Sequence, residues 1–560
     1  MQSDAPARPD GTPAPPSTIG DLAGRLRRQQ HGLPLFVALL TLAATFLRFG
    51  YVYGSGDQDE LIPSLLHLLD GSLFTQDWLV QTVASGVNVR TYFLWLMALP
   101  SLVLPGWLSV LLLWIGVTVA LSFGVYGLAR DLVRDRLAAA LSVPVVLVLT
   151  VKWTLGANSL AYDALVPEGV AWALAVPAIT LFLQRRWGWA GVLLGVAAWF
   201  HLLAGAQTAL VLGVVGLGRA ALSADLEGQK WRADLLDLVR FGGAFVLAAL
   251  PILVPVGFEQ SATSPTVESA PPPFYIHALF RNPHHHLFFS FGAGAHLRFW
   301  PVAVFGIAAG RWLHRRGVLR HGGFLAASGV FIALLCGIAV LFVEIVPVTL
   351  VAKLQLFKLT VLVTLVASIL VTAAFASLLP DALRRFSEGV LGRRWIGLAV
   401  ATVLLVLLAG LAVRDVGRPG ALLHPLRHQA SPLGEVEAWA RVATAEDALF
   451  ATPPSVSTFR TFARRAVVAD FTGFVFTDAA MQTWFQRLMD IAPITLPATG
   501  VGVKPVLDAA YEQLGPADWQ RLQSGYGADY ALVARGTRLP FAVAFENAEW
   551  TVYRLTGPSP

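Results

Sequence analysis

From residue 33 to residue 414, long apolar runs alternate with short stretches rich in arginine. The runs lie at 33–53, 107–128, 137–152, 169–183, 188–201, 203–218, 241–257, 299–313, 324–345, 359–379 and 395–414. Several reach the ~17–25 residues that span a bilayer, so the pattern predicts about eleven transmembrane helices. A shorter apolar piece at 91–104 is broken by Pro100 and closed by Pro105-Gly106, and at that length it reads as re-entrant or interfacial. Beyond residue 415 the pattern changes. Asp447–Ala451, Ala466–Ala469, Tyr530–Ala534, Phe541–Phe545 and Thr551–Leu555 read as short strands. The last two are spaced for a hairpin around Glu546-Asn547-Ala548. Met481, Trp484, Phe485 and Leu488 recur at helical spacing. Strands alternating with helices predict a small α/β domain.

The expected fold class is therefore a polytopic α-helical membrane protein with a small C-terminal α/β domain. Residues 1–30 are expected to form a disordered cytoplasmic tail, 31–415 the membrane domain and 430–560 the soluble domain. Composition agrees: of 560 residues, 56% are hydrophobic and only 14% charged. So few charges cannot coat a soluble globule of this size. The formal net charge of +6 resides in the stretches between apolar runs, with no aromatic-interleaved surface of the kind that binds nucleic acid. The single cysteine, Cys336, lies inside an apolar run and excludes an intramolecular disulfide.

Charge distribution sets the orientation. Arg25, Arg27 and Arg28 precede the first run, which reads as an uncleaved anchor with its N-terminus inside. Arg130, Arg134 and Arg136, then Arg185 and Arg186, then Arg219 and Arg240, then Arg315 and Arg320, then Arg384 and Arg394 fall on one side if 91–104 does not cross. The positive-inside rule makes that side cytoplasmic. Segments 54–90, 153–168, 258–298, 346–358 and the C-terminal domain are then extracytoplasmic, and the expected location is a bacterial inner membrane.

The outer segments hold the candidate chemistry. Ser55-Gly-Asp-Gln-Asp-Glu60 places three carboxylates within four residues after the first run. They are either a solvated helix start, where the dipole favours acids, or a site that takes a proton from a hydroxyl or holds a divalent cation. Leu61, Leu65, Leu68 and Leu69 then recur at helical spacing, with Glu60, Ser64 and His67 on another face. That predicts an amphipathic helix in the outer interface. The third outer segment carries His277, Arg281 and the triplet His284, His285 and His286. Arg281 is a natural phosphate partner, and one histidine could join the carboxylates; a plain polar loop is the alternative. In the fourth, Lys353, Gln355 and Lys358 place two lysines on the outer side against the usual charge bias, which suits an anionic lipid-linked group. Asn158, Tyr162, Asp163 and Glu168 line the second segment, and His201 falls at a helix–helix turn.

This layout resembles the type C membrane glycosyltransferases, enzymes similar to protein mannosyltransferases and lipid A aminoarabinose transferases. Within that superfamily the likeness is to an uncharacterised group of bacterial membrane proteins. It rests on Gly56-Asp-Gln-Asp-Glu60 with Pro63, on Arg281-Asn-Pro-His-His285, and on Gln355 followed by Lys358. It extends to Pro453-Pro454, Phe459-Arg460, Phe462-Ala-Arg-Arg465 and Trp484. The resemblance implies transfer of a sugar from a polyprenyl-phosphate carrier to a glycan or protein acceptor on the outer face. It implies Asp59 as base, with Glu60 and Asp57 beside it and a divalent cation at Asp57 or Glu60. His67, Arg281, His284, His285, Lys353, Gln355 and Lys358 would bind substrate. Lys358 stands where such families often carry arginine. The alternatives are a transporter or flippase for a lipid-linked or anionic solute, and a non-catalytic scaffold or sensor. Few charges fall within the runs, chiefly Arg48 and Glu344, and no internal repeat is visible.

Overall fold

The computed structural model describes residues 32–54, 56–222, 230–261, 270–379 and 428–556. The N-terminal tail, Ser55, the basic stretch 384–394 and the apolar run 395–414 lie outside the described residues.

The membrane part is a helical bundle. Its helices are α1 (Gly32–Phe49), α2 (Gln58–Leu69), α3 (Trp78–Ala84), α4 (Thr91–Ser101), α5 (Gly106–Val133) and α6 (Arg136–Pro144, continued as a π-helical turn to Leu149). Then come α7 (Pro167–Leu183), α8 (Trp187–Phe200), α9 (Leu202–Leu222), α10 (Lys230–Ser261), α11 (Ala293–Arg315), α12 (Gly322–Ala339) and α13 (Thr360–Leu378). Six segments are long and apolar enough to cross a membrane: Gly32–Phe49, Gly106–Val133, Leu202–Ala221, Trp231–Gln260, Gly322–Ile345 and Thr349–Leu378. The expected count of eleven is corrected on this measure. Arg136–Leu149, Pro167–Leu183 and Trp187–Phe200 are apolar but have only 10–17 residues. At about 1.5 Å per residue such helices are shorter than the six above. Helix α11 is long enough, but Arg298, Arg311 and Arg315 dilute its apolar character. Helix α4 has 11 residues, too few to cross, and exposes Trp95, Leu99 and Leu102.

Small residues let the helices close on each other. A Cβ added at Gly195 of α8 would lie 2.5 Å from the Ala248 side chain and 2.7 Å from the Phe245 carbonyl of α10. This is the close approach that small residues permit between membrane helices.

The bundle has two distinct ends. At one, Arg320 bonds Asp131 at 2.9 Å, Gln184 bonds Asp131 at 3.3 Å, and Arg185 pairs with Asp234. At the other, His285 bonds the Gly156 carbonyl at 2.7 Å and Lys358 bonds Glu168 at 3.2 Å. The C-terminal domain sits on this second end.

That domain is built from α14 (Pro432–Ala443), β1 (Leu449–Ala451), α15 (Phe459–Ala463), β2 (Ala466–Val467), α16 (Asp478–Ile491), α17 (Lys504–Glu512), α18 (Pro516–Tyr526), β3 (Tyr530–Ala534), β4 (Ala542–Glu546) and β5 (Trp550–Arg554). The sheet order is β2-β1-β3-β5-β4. Strand β1 runs parallel to β2 and β3, whereas β5 is antiparallel to β3 and β4. The expected strands and hairpin are all present. Asn547 Oδ1 closes the hairpin by accepting from the Glu549 and Trp550 amides at 3.1 and 3.0 Å.

The domain core is shared with the membrane part. Ile276 and Phe280, from the loop before α11, are fully buried among Phe471, Trp484 and Phe485. The Phe280 ring meets Phe485 at 5.1 Å, and burying such a side chain is worth about 1.5–3 kcal/mol. The Gly500 amide donates to the Phe280 carbonyl at 2.7 Å. The segment before α11 is thus threaded into the sheet domain.

The two-ended arrangement has a direct check. In a Cys336→Ala background, Gln513→Cys and Arg316→Cys should react with an impermeant maleimide from opposite sides of the membrane. Labelling of both from one side would contradict the architecture.

Candidate functional site

The chain enters the site through Gly54, which has a φ of 74°. A Cβ there would lie 2.9 Å from Thr461 Cγ2 and 3.0 Å from the Phe462 ring, so the backbone passes tightly beneath α15. Gln58 fixes the next turn. Its Oε1 accepts from the Gly54 amide at 2.9 Å, and its Nε2 donates to the Leu165 carbonyl at 3.0 Å. Helix α2 therefore starts in a set orientation, and its three acids separate. Helix α2 is not free in an interface, as the periodicity alone predicts. Asp59, Leu61, Ile62 and Leu65 are buried between bundle and sheet domain, and only its end, Leu68 and Leu69, is exposed.

Asp57 precedes the helix and is exposed to solvent. Burial of its surroundings nonetheless raises its carboxyl above the usual range, while Lys358, Arg281 and Arg90 pull it down and Glu168 pushes it up. Exposed yet close enough to Lys358, Arg281 and Arg90 to feel their charge, Asp57 marks a recess at this end of the bundle.

Asp59 points the other way. It is 2% exposed, and neither carboxylate oxygen has a partner with hydrogen-bond geometry, although the Ser457 hydroxyl lies toward it. Burial raises its pKa well above the ordinary value, and the neighbouring Asp470 adds to this. A base must reach its substrate proton, and Asp59 lies instead beneath the sheet domain. Of the two aspartates, the exposed one is therefore Asp57 and the buried one Asp59, the residue expected as base.

Glu60 is committed to an ion pair. Its Oε1 accepts from Arg90 Nε at 2.9 Å and Nη2 at 2.8 Å, and its Oε2 accepts from the Phe474 amide at 3.2 Å. Arg90 also donates to the Phe474 carbonyl. Glu60 thus positions Arg90 and the sheet domain together. Among the described residues, no group of three His, Cys, Asp or Glu side chains could hold a metal ion.

The basic residues divide similarly. Arg281 donates Nη2 to the Thr472 carbonyl at 2.9 Å and Nη1 to Asn282 Oδ1 at 3.2 Å. It lies over the Phe471 ring at 4.9 Å, and its Nε has no partner. Burial lowers its pKa, opposed by Glu60, Asp57 and Asp470. Lys358 donates to Asn158 Oδ1 at 2.8 Å and Glu168 Oε2 at 3.2 Å, and Glu168 also accepts from Tyr162 at 2.7 Å and Trp172 at 3.2 Å. Gln355, at a φ of 47°, breaks the chain between the two lysines. Lys358 consequently turns into the bundle, whereas Lys353 pairs with Asp478 at 2.8 Å and bonds Gln260 at 2.9 Å. Lys353 anchors the sheet domain and does not face Asp57. Nor does His67, whose Nδ1 bonds the Leu73 carbonyl at 2.7 Å and closes the loop after α2. Lys353 and His67 are thus engaged in structural contacts, and Gln355 contributes its backbone turn.

The histidines stay with the site. His284 and His285 rings meet at 4.2 Å, and His277 and His286 at 4.7 Å. Burial lowers His277 and His284 to about 4, so both are neutral at physiological pH. His284 feels the charges of both Arg281 and Lys358.

A buried triad holds the sheet domain over this recess. Arg460 Nε donates to Asp77 Oδ2 at 2.6 Å, and Nη1 donates to Asp470 Oδ2. Asp77 also accepts from the Val80 and Val467 amides at 3.1 and 3.0 Å. Asp470 Oδ1 accepts from the Thr472 and Gly473 amides at 2.6 and 2.7 Å. All three side chains are at most 3% exposed. Sequence reasoning missed Asp77, Asp470 and Arg90. Arg90 carries the same signal as Lys358, a cation on the outer side. The triad carries no local signal, because Asp77 and Arg460 are 383 positions apart.

Residues 431–491 match a family model described as a domain of unknown function (DUF6798). No curated protein matches the chain. The matched segment contains Arg460, Asp470 and Trp484, so it includes the groups that dock the sheet domain onto the bundle.

Arg460→Ala would leave two buried carboxylates without their cation, a loss of about 3–5 kcal/mol. Thermal unfolding of the full chain should show it, together with faster proteolysis of the sheet domain. Asp59 gives a pH test. Its folded pKa lies above its unfolded one, so its contribution is intact below the ordinary carboxylate range and is lost as pH rises through the raised value. Asp59→Asn should flatten that part of the stability profile; an unchanged profile would show that the Asp59 carboxyl titrates alike in the folded and unfolded states.

Proposed function

We propose that this protein is a membrane glycosyltransferase that moves a sugar from a polyprenyl-phosphate carrier to an acceptor on the outer face of a bacterial membrane. The observation that carries the reading is Asp57: a solvent-open carboxylate facing Arg90, Arg281 and Lys358 at the bundle end beneath the sheet domain. A base beside clustered cations suits a reaction in which a hydroxyl loses a proton as a phosphate departs.

The acceptor oxygen attacks the anomeric carbon, and the bond from that carbon to the carrier phosphate oxygen breaks. The acceptor proton passes to Asp57. The departing phosphate keeps the electron pair, and its charge is balanced by Arg281 and Lys358, with neutral His284 as a hydrogen-bonding group. Lys358 is already paired with Glu168, and Arg281 is bonded to Asn282 and the Thr472 carbonyl, so each would contribute charge from a position fixed by its neighbours. The resemblance to type C glycosyltransferases supports the same layout, with the acid after the first span and the soluble domain outside. The basic residues at the opposite end, Arg185 and Arg320 among them, support that orientation.

The test is transfer in liposomes carrying a polyprenyl-phosphate sugar. Asp57→Asn keeps the shape of the side chain but cannot take a proton, so transfer should fall by about 10²–10⁴-fold. Asp59→Asn should retain it. Because Asp57 is shifted upward, the acid limb of the rate profile should lie above the ordinary carboxylate range. Arg281→Lys keeps the charge but loses the fork and should raise KM for the donor more than it lowers kcat. Full transfer by Asp57→Asn would overturn the assignment. Movement of the lipid-linked sugar across the liposome without transfer would replace this reading with a flippase.

A further inference from the structure

We propose that the end of the bundle away from the sheet domain carries a binding site for the head group of an anionic phospholipid. An open groove of about 610 Å³ lies there, walled by Arg185, Arg186, Trp189, Val192, Arg240 and Ala244. Past Arg185 and Trp187 a smaller cavity of about 110 Å³ continues inward, lined by Arg219, Asp234 and His321. Four arginines thus face two aspartates, Asp234 and Asp237. The surplus is positive, which suits a phosphodiester and disfavours a head group without net charge.

The arginines have distinct roles. Arg185 pairs with Asp234 and lies 3.6 Å from Asp237, and it is held over the Trp187 ring at 5.4 Å. Arg240 bonds Asp237 at 3.1 Å. These pairs preset the groove wall. Arg186 is exposed and has no ion pair among the described residues, so its fork is open for two phosphate oxygens. It also precedes the first turn of the 14-residue α8, whose unpaired amides face the same direction.

The apolar wall selects a lipid over a soluble anion. Trp189 is 69% exposed, and an indole at the end of a membrane helix belongs at the head-group level. Val192 and Ala244 continue from it along α8 and α10, where the glycerol and the first methylenes would lie. Trp187 is buried and stacked on Phe182 at 4.9 Å, which keeps Arg185 in place.

The experiment titrates the purified full chain in a neutral detergent with phosphatidylglycerol, following thermal unfolding. The wild type should gain stability saturably, whereas phosphatidylcholine and inorganic phosphate should give no comparable shift. Arg186→Gln should require about fivefold more phosphatidylglycerol for half the effect, the loss of one interfacial cation. Arg186→Lys should recover part of it, and Trp189→Ala should also weaken it. Both side chains are exposed, so the variants should fold. Equal stabilisation by phosphatidylcholine, an equal shift with inorganic phosphate, or an unchanged response of both Arg186→Gln and Trp189→Ala would each overturn the proposal.

Discussion

The arginine between Asp77 and Asp470 is the constraint from which the sheet-domain end of the molecule is built. Arg460 joins the loop after α2 to the segment after β2, and both carboxylates are completed by backbone amides. A buried ion pair is weak evidence for stability, because desolvation offsets much of the attraction. Its value lies in specificity: separating the sheet domain from the bundle would strand Asp77, which Arg460 and the Val467 amide satisfy here. The Glu60–Arg90 pair repeats the device one turn away, with both Arg90 and Glu60 bonded to the Phe474 backbone.

This docking has a chemical consequence. It draws Asp59 under the sheet domain and leaves Asp57 outside it, although the two are separated by one residue. Helical geometry explains the divergence, since Asp57 precedes the first turn of α2 and Asp59 belongs to it. The same docking threads Ile276 and Phe280 into the domain core, which aims Arg281 toward Asp57. The break at Gln355 separates Lys353 from Lys358 in a related way. One lysine tethers the domain to the bundle and the other supplies charge beside the recess. A strained left-handed conformation at a non-glycine residue persists only where its surroundings enforce it, and here both flanking lysines are bonded.

The matched segment 431–491 gains a physical meaning from this arrangement. It has neither Asp57 nor the cations Arg90, Arg281 and Lys358, which come from the loops of the bundle. What it contributes is Arg460, Asp470 and the Phe474 backbone, the groups that seat the sheet domain. The site is therefore composite, and neither part of the chain assembles it alone.

Much of the architecture was legible in the sequence because it rests on local periodicity and on solvent. Apolar runs, the switch to short strands after residue 430, the Asn547 hairpin and the basic turns at one end all follow from pattern and charge. The number of membrane-crossing helices was less legible, since a run of 14 to 17 apolar residues can cross or be merely buried. Asp57, Arg281, His284 and Lys358 were identifiable as candidates because charged groups stand out on the outer side of an apolar chain. Which of three neighbouring acids faces the recess was not identifiable. That choice depends on where Arg460 finds Asp77, 383 positions away, and on which lysine the Gln355 turn directs inward. Residue type and spacing determined the candidates; long-range desolvated pairing, visible only in the tertiary structure, decided among them.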